Sequence, residues 1–263
     1  MDMLAAILTL GGLGILFGAG LALASKKFCV VIDPRVEKIF SELPGANCGA
    51  CGMPGCMGFA EGLVHGKCTP EKCSASSDDA RRKMAQILGV EFKEKIKQLA
   101  TLHCNGGSQR VKDKFGYHGE KDCIAASIIL GGQKACSWGC LGFGTCVKIC
   151  PFGALSMSSE GLPVVDEKKC KACNKCVEIC PKGLFSLVPE RTRVYVACSS
   201  RGTGKDTRAV CLVGCIACRK CEQACKYDAI HVVNNLAVID YEKCTSCGDC
   251  VKVCPMKTIR IKP

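Results

Sequence analysis

Large apolar side chains are scarce in this chain of 263 residues, which holds one Trp, four Tyr and nine Phe. A small domain with so few of them cannot build much core, so its cohesion has to come from elsewhere. Histidine is as sparse: His65, His103, His118 and His231 show no spacing that would pair them as ligands. No nucleophile–base arrangement, phosphate loop or dinucleotide fingerprint is present. Gly202-Thr203-Gly204-Lys205 lacks both the full G-x-x-x-x-G-K-[ST] pattern and the helix that should follow it, and reads as a turn. These absences exclude bond-making chemistry by the chain itself.

Cysteine is what the chain has in abundance, 26 residues. The spacings are too regular for a disulfide framework. A lone C-x2-C…C-x2-C would suit structural zinc. Here there are four runs of four cysteines, three ending in Cys-Pro, which favours iron–sulfur ligation. The last two are the reference copies: Cys215-x2-Cys218-x2-Cys221-x3-Cys225 and Cys244-x2-Cys247-x2-Cys250-x3-Cys254. In such runs three thiolates hold one [4Fe-4S] cluster and the fourth reaches to the partner cluster. Clusters can replace a missing core as structural metals do.

The formal charge of +12 invites a nucleic-acid reading. That count treats every cysteine as neutral, whereas an oxidised cluster with four thiolates carries about −2 and five would cancel about ten charges. No Arg-rich recognition helix or stacking-aromatic motif is present, so nucleic acid is not an expected partner.

Residues 3–24 carry no charge and are long enough to cross a hydrocarbon core of roughly 30 Å as a helix. A secretory signal needs a basic start and a cleavage site, but the lysines, Lys26 and Lys27, follow the apolar run. The expected element is a transmembrane anchor in the cytoplasmic membrane, single-pass and in contact with lipid, with the bulk of the chain on the cytoplasmic side. That side is reducing, which suits thiolates. The helix holds no ionisable relay, and Gly11, Gly12, Gly14, Gly18 and Gly20 would permit close helix packing. Cys29, at the membrane edge, reads as a free thiol.

One short helix is expected after Asp33-Pro34. Then come Cys48, Cys51 and Cys56 in a glycine-rich stretch that lets the backbone turn several sulfurs inward. A helix over residues 59–65 would return the chain to Cys68 and Cys73, either of which could be the fourth ligand. The pattern C-x2-C-x4-C-x16-C, Cys48 to Cys73, resembles the single-cluster domain of the B subunits of ion-translocating ferredoxin:NAD oxidoreductase (Rnf) complexes. A related motif occurs in corrinoid iron–sulfur proteins, but the chain has no room for a cobalamin domain. The resemblance selects Cys73.

Residues 78–99 suggest one or two amphipathic helices broken near Gly89. Beyond them an internal repeat appears. Cys104, a polar Gly-rich loop, then Cys136-x3-Cys140-x5-Cys146-x3-Cys150 match Cys198, a similar loop, then Cys211-x3-Cys215-x5-Cys221-x3-Cys225. Aligned so, Phe143 stands where Cys218 stands. The earlier copy lacks the middle cysteine, Cys136 is placed to replace it, and Cys211 is redundant. Cys170, Cys173, Cys176 and Cys180 answer the first run. Strands fit residues 154–157, 162–165, 184–188, 193–196, 229–233, 236–239 and 258–261, with short helices before each run's last cysteine.

The expected fold class is α+β: an N-terminal transmembrane helix (1–27), a small helical single [4Fe-4S] domain (28–76), a helical linker (77–100) and two tandem dicluster ferredoxin-like βαββαβ modules (101–190 and 191–263). The expected cofactors are five [4Fe-4S] clusters. Crossed ligation assigns them to Cys48, Cys51, Cys56 and Cys73; Cys136, Cys140, Cys146 and Cys180; Cys150, Cys170, Cys173 and Cys176; Cys215, Cys218, Cys221 and Cys254; and Cys225, Cys244, Cys247 and Cys250. Cys104, Cys123, Cys198 and Cys211 remain, as small buried thiols, a cysteine pair or a sixth metal site.

The order of parts resembles the Rnf B subunits over essentially the whole chain, in an extended form with two dicluster modules. The resemblance implies electron transfer from reduced ferredoxin through the clusters, within a translocase of other membrane and peripheral subunits that carry the flavin, nicotinamide and ion sites. A membrane polyferredoxin serving a hydrogenase or another oxidoreductase, and a zinc scaffold, are the alternatives. Lys168, Lys169, Lys171 and Lys175 could dock an acidic ferredoxin or be ordinary solvated charge.

Overall fold

The computed structural model describes residues 2–28, 33–92, 94 and 96–262, so Cys29 lies outside the described residues. Helix α1 (Asp2–Lys27) holds the apolar run. Among the described residues it is the one helix long and apolar enough to cross a membrane, over Ile7–Lys27 at a mean hydropathy of 2.1, with none of that span buried. Ile15, Leu16, Phe17 and Leu21 all project outward, and a Cβ on any of its five glycines would meet nothing within 4 Å.

Asp33 caps α2 (Pro34–Glu42) by accepting the Arg35 N–H at 2.8 Å. The Arg35 guanidinium on the same carboxylate holds its pKa down at about 2. Helix α2 sends Val36 and Ile39 inward, α3 (Gly55–Val64) adds Phe59 and Leu63, and α4 (Asp78–Leu88) adds Met84. Fully burying each such side chain is worth about 1.5–3 kcal/mol. Helix α4 stops at Gly89, whose φ of +68° is left-handed, a conformation glycine adopts without cost.

No second helix follows Gly89 among the described residues. Instead β1 (Gln98–Leu102) begins inside the segment expected to be linker. Leu99 and Ala100 are buried against β4 (Phe185–Pro189), paired with Val188 and Leu187, and this long-range contact overrides the local helical pattern.

Two similar halves make up the rest. The first runs β1, α5 (Cys123–Ile128), α6 (Thr145–Lys148), β2 (Leu155–Met157), β3 (Pro163–Val165), α7 (Lys175–Ile179), β4. The second runs β5 (Val194–Val196), α8 (Gly204–Val210), α9 (Lys220–Gln223), β6 (Ile230–Val233), β7 (Leu236–Ile239), α10 (Asp249–Val253), β8 (Ile259–Ile261). In each half the outer strands pair antiparallel (β1 with β4, β5 with β8), as do the inner ones (β2 with β3, β6 with β7). Thr203 does not sit in a plain turn. It is the N-cap of α8, its side chain accepting the Asp206 N–H at 3.2 Å, so a short helix does follow Gly202-Thr203-Gly204-Lys205.

Candidate metal centres

Each cysteine run is shaped by its backbone before any side chain is considered. In the run from Cys170, Ala172 and Asn174 have φ of +51° and +68°. In the run from Cys215 the equivalents are Ala217 (+54°) and Arg219 (+58°), and in that from Cys244 they are Ser246 (+59°) and Gly248 (+82°). Non-glycine residues rarely adopt this region, and they hold it where the surroundings over-determine them. Successive N–H groups in such a turn form a concavity that binds anions. The run from Cys140 has glycine at both positions, Gly142 (+81°) and Gly144 (+73°). The backbone therefore places Phe143 at the position of Cys173, Cys218 and Cys247, as the repeat implies.

Among the described residues, thiols line several apolar cavities. One is bounded by Cys48, Cys51, Cys56 and Cys73. The Asn47 side chain fixes the start of α3 beside it, accepting the Cys56 N–H at 2.7 Å. Ser76 donates to the Cys73 sulfur at 3.1 Å, whereas Cys68 faces the Phe59 carbonyl instead. A second cavity is lined by Cys215, Cys218, Cys221 and Cys254, and a third by Cys225, Cys244, Cys247 and Cys250. In a further group Cys150, Cys170 and Cys176 share one core cluster, and Cys173 is electrostatically coupled to Cys150 and Cys170.

The remaining cavity departs from expectation. It is lined by Cys140, Cys146 and Cys180, and its fourth thiol is Cys123 rather than Cys136. Thr145 explains the placement. Its hydroxyl accepts the Cys123 N–H at 2.8 Å and donates to Asp122 at 2.7 Å, tying the start of α5 to the start of α6 next to Cys146. Cys136 packs elsewhere, with Val111 and Cys211. Sequence spacing could not reveal this, because Cys123 lies outside the run and approaches through a loop closure.

Burial governs the acidity of these thiols. Burial, reinforced by neighbouring cysteines, pushes Cys176 and Cys250 up to about 12 and Cys146 and Cys221 up to about 11. Such thiols stay protonated near neutral pH unless metal charge enters among them. Backbone amides already face the sulfurs: Leu184 N–H to Cys180 at 3.5 Å, Ala229 N–H to Cys225 at 3.4 Å and Thr258 N–H to Cys254 at 3.3 Å. Among the described residues no three Cys, His, Asp or Glu side chains converge closely enough to hold a single metal ion. Lys262 is a group the sequence does not single out: among the described residues its buried ammonium has no hydrogen-bond partner, and burial lowers its pKa against the opposing pull of Glu167 and Cys170.

The helical domain lies against the first half. Phe152 packs against both the helical core and the core of the first half, and Cys173 is coupled to Cys48.

Known proteins share these segments. A family described as a putative Fe-S cluster matches residues 43–75, and two families described as 4Fe-4S dicluster domains match residues 133–185 and 214–258. The chain is 44% identical over 256 residues, 97% of each chain, to the B subunit of the ion-translocating oxidoreductase complex of Methanosarcina acetivorans. It is 46% identical over 250 residues, 95% of this chain and 75% of the relative, to the B subunit of the Na(+)-translocating ferredoxin:NAD(+) oxidoreductase complex of Acetobacterium woodii. With the proton-translocating counterpart of Clostridium ljungdahlii the identity is 38% over 251 residues, 94% of this chain and 88% of the relative. With its helical cysteine domain and two dicluster regions matched along nearly its whole length, the chain belongs to the family of B subunits of ion-translocating ferredoxin:NAD(+) oxidoreductase complexes.

Proposed function

We propose that this subunit is a membrane-anchored electron relay whose thiols hold [4Fe-4S] clusters in a helical single-cluster domain and two ferredoxin-like dicluster modules. Each cluster, when bound, takes up and releases one electron. The observation that carries the reading is the recurrence of one backbone device, paired left-handed residues inside a cysteine run, beside three cavities lined by four thiols. The ligand sets are those expected from the sequence, with Cys123 in place of Cys136. The chain's own work is to hold the thiolates, aim amides at their sulfurs and keep water away, the terms that tune potential. Its relatives' names supply the context: a ferredoxin:NAD(+) oxidoreductase complex that translocates Na(+) or protons. Helix α1, with its leucines uncovered, would sit in the cytoplasmic membrane against lipid and other subunits, with the bulk on the cytoplasmic side.

Anaerobic iron and acid-labile sulfide analysis tests the cofactor directly. The sets above predict at least about twenty iron atoms per chain with matching sulfide. A colourless protein containing zinc would overturn the reading.

Reduced ferredoxin is the proposed donor. Lys168, Lys169 and Lys171 are exposed beside the second cysteine run, and a basic rim steers an acidic partner at low salt. Lys168→Glu with Lys171→Glu is expected to slow ferredoxin-dependent reduction several-fold at low ionic strength, the difference shrinking as salt is added. Unchanged rates at all salt concentrations would move the docking site elsewhere.

A further inference from the structure

The internal repeat continues past the last cysteine of each half. Leu184 donates its N–H to the Cys180 sulfur at 3.5 Å, and Thr258 donates in the same way to Cys254 at 3.3 Å. Counting on from these two, Lys262 stands where Val188 stands. The strand registers agree: Leu187 pairs with Ala100 and Ile261 with Val194, and the next residue is Val188 in one half and Lys262 in the other. Val188 is fully buried opposite Leu99. Lys262 is 7% exposed and donates its backbone N–H to the Arg193 carbonyl at 2.7 Å. Among the described residues its ammonium has no hydrogen-bond partner. One copy of the fold fills this place with an apolar side chain and the other with a buried cation, so packing does not call for the charge.

The charge lies at the junction of the two halves. Only residues 190–193 separate the end of β4 from the start of β5, and β8 pairs with β5, which brings the end of β8 back to the first half. Burial disfavours the ammonium, and the charges that oppose this all belong to the first half: Glu167, Cys170 and Glu190. His103 also feels Lys262, and its ring spans the junction from the Ser186 hydroxyl to the Val196 carbonyl. Glu190 is exposed and already ion-paired with Lys97, so solvent and that lysine screen it. Cys170 is buried, in the core cluster that also holds Cys176 and packs against Cys150.

A buried ammonium without a hydrogen bond is costly and persists where a compensating charge lies near. A [4Fe-4S] centre with four thiolates supplies one, at about −2 when oxidised and about −3 when reduced. The attraction is stronger to the reduced centre, and burial keeps water and salt from screening it. We infer that Lys262 is a potential-setting residue: its ammonium, carried by the second half, makes the centre of Cys150, Cys170, Cys173 and Cys176 in the first half easier to reduce. That centre is the one next to the helical domain, where Cys173 is coupled to Cys48. The charge therefore acts on the electron step between the helical domain and the first module, and it does so only while the second half is docked.

This inference rests on the iron–sulfur reading above, and the test separates the two. Full-length wild type, Lys262→Met, Lys262→Gln, Lys262→Arg and Cys170→Ala are purified anaerobically and their iron and acid-labile sulfide measured. Each is then titrated with dithionite while its electron paramagnetic resonance is followed. In Lys262→Met and Lys262→Gln, reduction of one component is expected to become about tenfold less favourable, a downward shift of about 59 mV for a one-electron couple. Their iron content is expected to match the wild type, because the equivalent Val188 shows that this place accepts a neutral side chain. The component that moves is the one missing from Cys170→Ala. Lys262→Arg keeps the charge and is expected to stay within about twofold of the wild type. No shift in either neutral variant, an equal shift in Lys262→Arg, or a shift in a component that Cys170→Ala retains would overturn the inference and leave the clusters standing. Loss of iron from both neutral variants but not from Lys262→Arg would make the charge structural and overturn it too. A wild type without iron and sulfide would defeat the parent reading instead.

Discussion

Cys123→Ala is expected to remove about four iron atoms per chain, and adding Phe143→Cys is expected to restore them. Cys123 enters the cavity of Cys140, Cys146 and Cys180 from outside their run because that run carries Phe143 between Gly142 and Gly144. The left-handed pair around position 143 is the one that presents Cys173, Cys218 and Cys247 in the other runs. A cysteine put there should therefore reach the same centre, while the displaced ring gives up its contact with Tyr117 at 5.3 Å. Phe143→Cys is expected not to rescue Cys136→Ala, since Cys136 packs with Val111 and Cys211. Iron and sulfide analysis of the four proteins decides the matter. Rescue of Cys136→Ala and not of Cys123→Ala would return the ligand role to Cys136.

Stripping iron and sulfide with a chelator under reducing conditions is expected to abolish the cooperative unfolding transition of residues 98–262. The cores there are thin. The second half buries Val194, Val196, Ile230, Leu236, Ile239 and Ile259 together with Cys215, Cys221 and Cys250, on strands of three or four residues. Stability of a whole domain is about 5–15 kcal/mol, and a structural zinc site alone contributes about 10–16 kcal/mol in zinc-finger peptides. Emptied sites would also leave thiols and left-handed loops with nothing to wrap around. Circular dichroism during thermal unfolding, before and after reconstitution, reads the effect. An apo protein that still melts cooperatively near the holoprotein's temperature would show that apolar packing suffices.

Most of the strand positions were legible because the apolar residues recur between cysteine runs whose spacing punctuates the chain. Residues 236–239 match β7 in full, and the other expected strands are offset from the observed ones by a residue or so. Strand β1 was not legible as a strand. Its residues continue an amphipathic pattern from α4, and only the distant β4 draws them into a sheet. Helix α8 was hidden by a glycine-flanked start that one threonine side chain caps.

The sequence by itself determined the cysteine runs, the internal repeat, the missing ligand at Phe143 and the apolar N-terminal helix. Each of these is local, a matter of spacing or composition. Which thiols share a centre was decided by the tertiary structure. Cys123 meets Cys146 because Thr145 ties two helix starts together. Cys104 and Cys211 face one space at Gly106 where the two halves dock through His103 and Ser199. A metal centre is a long-range convergence of side chains, and a linear pattern carries it only where every ligand falls at its place in a recognisable cysteine motif, as Cys123 does not.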